Sequence, residues 1–140
     1  MKHNLILRFL AKYLFPVIAL FALYVQFHGD YGPGGGFQAG VIMSVAFIFY
    51  ALVFGIETTE KVLPIGVLRI MASTGVLIYA GTGVTTLLMG GNFLDYDILS
   101  AIPLQGQHIG IMVIEVGVGI TVSSVMMMIF YAFTDRRNHD

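Results

Sequence analysis

Four apolar runs, each about long enough to cross a lipid bilayer, take up most of this 140-residue chain. A spanning helix needs about 20 mostly apolar residues, because the hydrocarbon core is about 30 Å thick. The runs cover about 5–27, 37–55, 62–90 and 108–133. The links between them are short, so no separate soluble domain fits. The expected architecture is therefore all-α and integral to the membrane, one domain of four transmembrane helices over 1–140. Charge agrees with this reading. Only 11% of the residues are charged, against about 25% in a soluble domain. The first run opens like a secretory signal, with Lys2, Arg8 and Lys12 at its start. No small-residue cleavage site follows it, and more spans do, so it reads as a retained first helix. Pro16 inside it is a candidate kink, since proline removes a backbone donor.

The basic residues orient the chain. Lys2, Arg8 and Lys12 precede or open the first span, Lys61 and Arg69 lie at the second link, and Arg136 and Arg137 follow the fourth span. These are all seven Lys and Arg, and four spans bring them to one face. The positive-inside rule makes that face cytoplasmic. Both termini are then cytoplasmic, while the glycine-rich turn at 28–36 and the link carrying Asp95 and Asp97 face outside.

Several chemistries are excluded or unsupported. The chain has no cysteine, which removes disulfides, iron–sulfur clusters and thiolate metal sites. The four histidines, His3, His28, His108 and His139, are scattered. No nucleophile–base set or metal-ligand cluster appears, so the expectation is no enzyme, no metal and no cofactor. A net charge of -1 with no basic cluster gives no reason to expect nucleic acid as a partner.

Glu115 is the sharpest outlier. It stands in the run Ile109–Val118, about 10 Å beyond His108 at 1.5 Å per residue. A carboxylate there costs several kcal/mol unless it is paired, protonated or hydrated. Two readings stand: a proton or cation relay, or a protonated acid that hydrogen-bonds a neighbouring helix and holds the assembly together. His108, Glu115, Gly119 and Ser123 share one helix face by their spacing, and that face is too polar for lipid. His108 is either a pH-sensitive neighbour of Glu115 or an interfacial histidine. Arg69 either pairs with a carboxylate of a partner or, the preferred reading, snorkels to the inner interface.

The second outlier is the turn His28-Gly29-Asp30-Tyr31-Gly32-Pro33-Gly34-Gly35-Gly36. Its glycines either form an anion-binding concavity ahead of a helix or let two helices approach closely. Small residues also recur in stripes: Gly40, Ser44, Ala51 and Gly55 in the second run, and Gly75, Tyr79, Thr82, Thr86 and Gly90 in the third. Such stripes permit close helix packing in lipid. Met126, Met127 and Met128 read as packing.

The stretch Gly32-Pro33-Gly34-Gly35-Gly36-Phe37-Gln38-Ala39-Gly40 resembles the P-G-G-G-F-Q-G-G signature of the B subunit of Mrp/Mnh-type Na⁺/H⁺ antiporters. The length, the four spans, His28-Gly29 and the Gly-rich last helix with Glu115 match that family too. Two positions depart: Ala39 replaces a glycine, and Asp30 stands where a histidine is expected. The resemblance implies a small subunit in a hetero-oligomeric complex that exchanges cytoplasmic Na⁺ for external protons. Its partners would be other hydrophobic subunits and the lipid bilayer of a prokaryotic cell membrane. It singles out Pro33 and Phe37 within the motif Pro33, Gly34, Gly35, Gly36, Phe37 and Gln38. A stand-alone four-helix transporter and a structural scaffold of a related hydrogenase-type complex are the competing readings. Small multidrug transporters carry their membrane glutamate in the first span, where this chain has no acid.

Overall fold

A computed structural model of the chain describes residues 4–29 and 34–137. Pro33 and Asp30 lie outside the described residues. The described residues form five α-helices: α1 (Asn4–His28), α2 (Gly36–Phe54), α3 (Ile56–Val62), α4 (Ile65–Leu88) and α5 (Pro103–Arg137), with a 3-10 turn at Tyr96–Leu99. Four of them, α1, α2, α4 and α5, are long and apolar enough to cross a membrane.

The boundaries have local causes. Pro16 lies within α1, which continues through it. Gly35, at φ 121° and ψ 173°, caps the start of α2 in a conformation almost confined to glycine. Gly55, at φ 95°, ends α2 and immediately starts α3. The polar stretch expected as a link is thus a two-turn helix, and Thr59 in it is fully buried. Pro64 precedes α4 with extended backbone. Pro103 opens α5 five residues before the expected start, because proline suits a helix's first turn, where its missing N–H has no partner to lose.

The extensive helix interfaces run in series, α1 on α2, α2 on α5 and α5 on α4, with a lighter contact between α1 and α5. The spans thus lie in a row around α5 and do not close into a ring. Glycine makes the row tight. A Cβ at Gly40 would lie 2.7 Å from the Gly119 carbonyl oxygen, and one at Gly117 2.9 Å from that of Gly75. Gly75 in turn packs on Gly117 and Thr121. In lipid, where helices gain little from burying apolar surface, such backbone approach is a main source of packing energy. The expected stripes are met in part. Gly40, Ser44, Ala51, Gly75 and Thr86 are buried, whereas Gly55, Tyr79 and Gly90 are exposed.

The two ends of the row differ. At one end, Leu68, Met127 and Tyr131 form a buried cluster joined by Phe47, Ile48, Ile56 and Leu63. The Tyr131 hydroxyl donates to the Leu63 carbonyl at 3.1 Å, tying α5 to the α3–α4 corner. Arg8 lies over the Phe54 ring at this same end, 5.7 Å from its centroid. The start of α1, the end of α2, all of α3, the start of α4 and the end of α5 therefore share one side. The opposite end holds the glycine turn and the Asp95–Asp97 link. There Tyr96 packs on Gly106 and Gly110, and burial raises its phenol above the ordinary tyrosine range. Leu94, at φ 63°, is held in the left-handed region by its N–H bond to Thr86 Oγ1 at 3.0 Å.

Candidate functional site: a carboxylate in the glycine turn

The two outliers of the sequence meet. Glu115 is half-buried, and its carboxylate lies against the glycine turn. A Cβ on Gly29 would stand 2.9 Å from Glu115 Oε2 and 3.0 Å from Oε1, and one on Gly35 would stand 2.9 Å from Oε1. Gly36 touches the Glu115 backbone so closely that a Cβ would land on its carbonyl. The missing side chains of Gly29 and Gly35 are thus the space that the carboxylate fills.

The turn itself is built on the end of α1. The N–H of Gly35 donates to the Val25 carbonyl at 3.3 Å, one of the last carbonyls of α1, which lack a partner within their helix. Gly34 folds onto the same place, where a Cβ would stand 2.9 Å from the Val25 oxygen and 3.2 Å from Gly29 Cα. One segment therefore caps α1 and launches α2. The first N–H groups of α2 have no intrahelical acceptor and carry the positive end of its dipole. A carboxylate beside Gly35 stands where that end favours negative charge.

The register sets the depth of the site. α2 and α5 run in the same direction, with Gly36 beside Glu115 and Gly40 beside Gly119. Glu115 is about 18 Å along α5 from Pro103 at 1.5 Å per residue, yet it is level with the first residue of α2. It sits at the mouth of the α1–α2 hairpin, while α4 and α5 continue past it.

The other expected site residues divide into two groups. Phe37 and Gln38 are exposed and, with Gly34, Gly35, Gly36, Ile114, Glu115 and Val118, border one open recess. Phe37, at 64% exposure, points away from the chain's own packing. His108 is exposed, because α1 and α2 do not reach its level, about 10 Å from Glu115 along α5. The Ser123 hydroxyl donates to the Ile120 carbonyl of its own helix at 3.1 Å, so it adds nothing to the site. One polar residue escaped the sequence reading. Gln26 of α1 lies against Gly119, where a Cβ would come within 2.6 Å of Gln26 Oε1. An amide within an apolar run, three residues before Gly29, was the available signal.

A family model described as "Domain related to MnhB subunit of Na+/H+ antiporter" matches residues 6–128. Relatives named "Putative antiporter subunit mnhB2" occur in Staphylococcus aureus strains Newman, JH1 and COL. Each is 33% identical over 142 residues, covering 99% of this chain and 100% of the relative. The chain is thus a multi-pass membrane protein that belongs to the family of MnhB-related subunits of Na⁺/H⁺ antiporters.

Proposed function

We propose that the chain is a small subunit of a multisubunit antiporter that exchanges cytoplasmic Na⁺ for external protons across a prokaryotic cell membrane. Its 140 residues act as one membrane domain among other hydrophobic subunits, with both termini cytoplasmic. Glu115 serves as a proton-carrying group. The observation that carries this reading is the seating of Glu115 in the signature turn: the one acid in the middle of a span meets the one motif that resembles the antiporter family. His108, nearer the start of α5, is a second candidate on the path, joined to Glu115 only through water at that distance.

A structural reading is favoured by a different observation. Three interfaces in series leave broad apolar faces on the row, with Phe21, Phe37, Leu52, Ile70, Leu77 and Leu88 among the residues exposed on them. Such a layer suits a piece set between larger subunits. The two roles are compatible, and substitution of Glu115 separates them. Glu115→Gln keeps the shape and the hydrogen-bonding capacity but removes the titratable group. For a proton carrier, the complex assembles while Na⁺-driven pH changes in vesicles fall or shift in pH dependence. Normal exchange with an unshifted pH profile in an assembled Glu115→Gln complex would leave Glu115 only a structural part. In that case Glu115→Ala should lower complex yield instead.

A further inference from the structure

Gln26 and Glu115 occupy two consecutive rungs of one seam. α1 and α5 run antiparallel here, so Gln26 faces Gly119 and Gly29 faces Glu115. Gln26 is accommodated by Gly119 of α5, and Glu115 by Gly29, the residue just past the end of α1. Gln26 Nε2 is buried, and no protein atom among the described residues accepts a hydrogen bond from it. Its surroundings are apolar: Ala22, Leu23, Ala39, Met43, Val116 and Ile120 border the same hollow. A buried donor without an acceptor costs about 1–3 kcal/mol, and a membrane offers little bulk water to relieve it. An acceptor in the assembled protein is therefore required. The nearest rung holds a carboxylate, with lone pairs enough for several donors. The rungs are about one turn apart, about 5.4 Å. Nε2 makes no direct bond to that carboxylate, and neighbouring rungs at that spacing leave room for one water between two bonds.

We propose that Gln26 Nε2 donates to a water molecule that donates in turn to the Glu115 carboxylate, which makes Gln26 a positioning residue for proton exchange at Glu115. The consequence for transport rests on Glu115 carrying protons, as proposed above. Gln26 does not titrate and acts only by holding the water. Among the described residues the titratable neighbours are few. α1 brings His28, half-buried next to Gly29. α2 brings only the neutral Gln38 to this level. α5 brings His108, about 10 Å away, and α4 packs on α5 elsewhere, with Tyr79 beside Val118 and Thr121.

The test is pH-difference infrared spectroscopy on the whole complex in lipid, beside antiport in vesicles. The Glu115 carboxyl band is assigned by its loss in Glu115→Gln. Gln26→Met is close in volume and removes only the amide. The proposal predicts that in Gln26→Met the Glu115 band moves, a water O–H band sensitive to isotopically labelled water disappears, and antiport falls several-fold with complex yield unchanged. If Gln26→Met lowers yield, Gln26→Asn withdraws the amide by one methylene and should move the same band. An unmoved Glu115 band in the assembled variant overturns the proposal. The bands decide on the water, while antiport by Glu115→Gln decides separately on the proton-carrying reading.

Discussion

Glycine at 35 and 36 is required for two different reasons, and substitution separates them. Gly35 holds φ at 121°, so Gly35→Ala forces a conformation that costs about 1–3 kcal/mol and also pushes a methyl toward the Glu115 carboxylate. Gly36 lies in a helix, and Gly36→Ala fails only because the methyl meets the Glu115 backbone. Both variants should lower the thermal stability of the purified complex and shift the Glu115 environment. Gly81 is the control. It lies inside α4 with nothing within 4 Å of a built Cβ, so Gly81→Ala should leave stability unchanged or slightly raised, since alanine is the better helix former by about 1 kcal/mol. A loss with Gly81→Ala as large as with Gly36→Ala would mean that close approach is not what the turn's glycines provide. Glu115 was visible in the sequence because a lone acid in an apolar run has a high desolvation cost. Its partner was not. Residues 36 and 115 are linked by tertiary register alone, which no helical spacing within one run reveals.

At the scale of elements, the apolar runs foretold the four long helices, since length and hydropathy suffice for that. The short helix α3 was hidden, because two turns of Ile56-Glu57-Thr58-Thr59-Glu60-Lys61-Val62 are too brief to show a period. Its place depends on contacts made elsewhere: Gly55 turns the chain, and Tyr131 of α5 binds the Leu63 carbonyl. Tyr131→Phe should therefore cost about 0.5–1.5 kcal/mol and loosen the α3–α4 corner, read as faster amide exchange at residues 59–63. Unchanged exchange there would show that the corner holds without this bond. Phe37 behaves differently. It opens α2 yet stays exposed, so Phe37→Ala should leave the fold of this chain intact and lower antiport through a contact with another subunit. If Phe37→Ala transports normally in an assembled complex, the exposed ring has no role of that kind.

Across the whole molecule, α5 is the axis. It packs on α2 and α4 and touches α1, and it carries Glu115 to the mouth of the α1–α2 hairpin. Arg8, Lys61 and Arg69 lie toward the end of the row that holds the start of α1 and all of α3. Reporter fusions at Asp140 and within 95–103 should thus report opposite sides, cytoplasmic for Asp140 and external for the link. A cytoplasmic signal from the link would break the four-span topology. The order of the helices in the row could not be read from the sequence, because small-residue stripes mark which faces pack but not against which helix. The row also leaves much apolar surface uncovered, which fits a chain that works beside other membrane subunits. The most direct measurement is purification of the tagged chain from its native membrane in mild detergent, followed by reconstitution of what elutes. Membership in an antiporter complex predicts several hydrophobic partners eluting together and Na⁺-driven proton movement in the resulting liposomes. Elution of this chain alone, as an active monomer or homodimer, would contradict it.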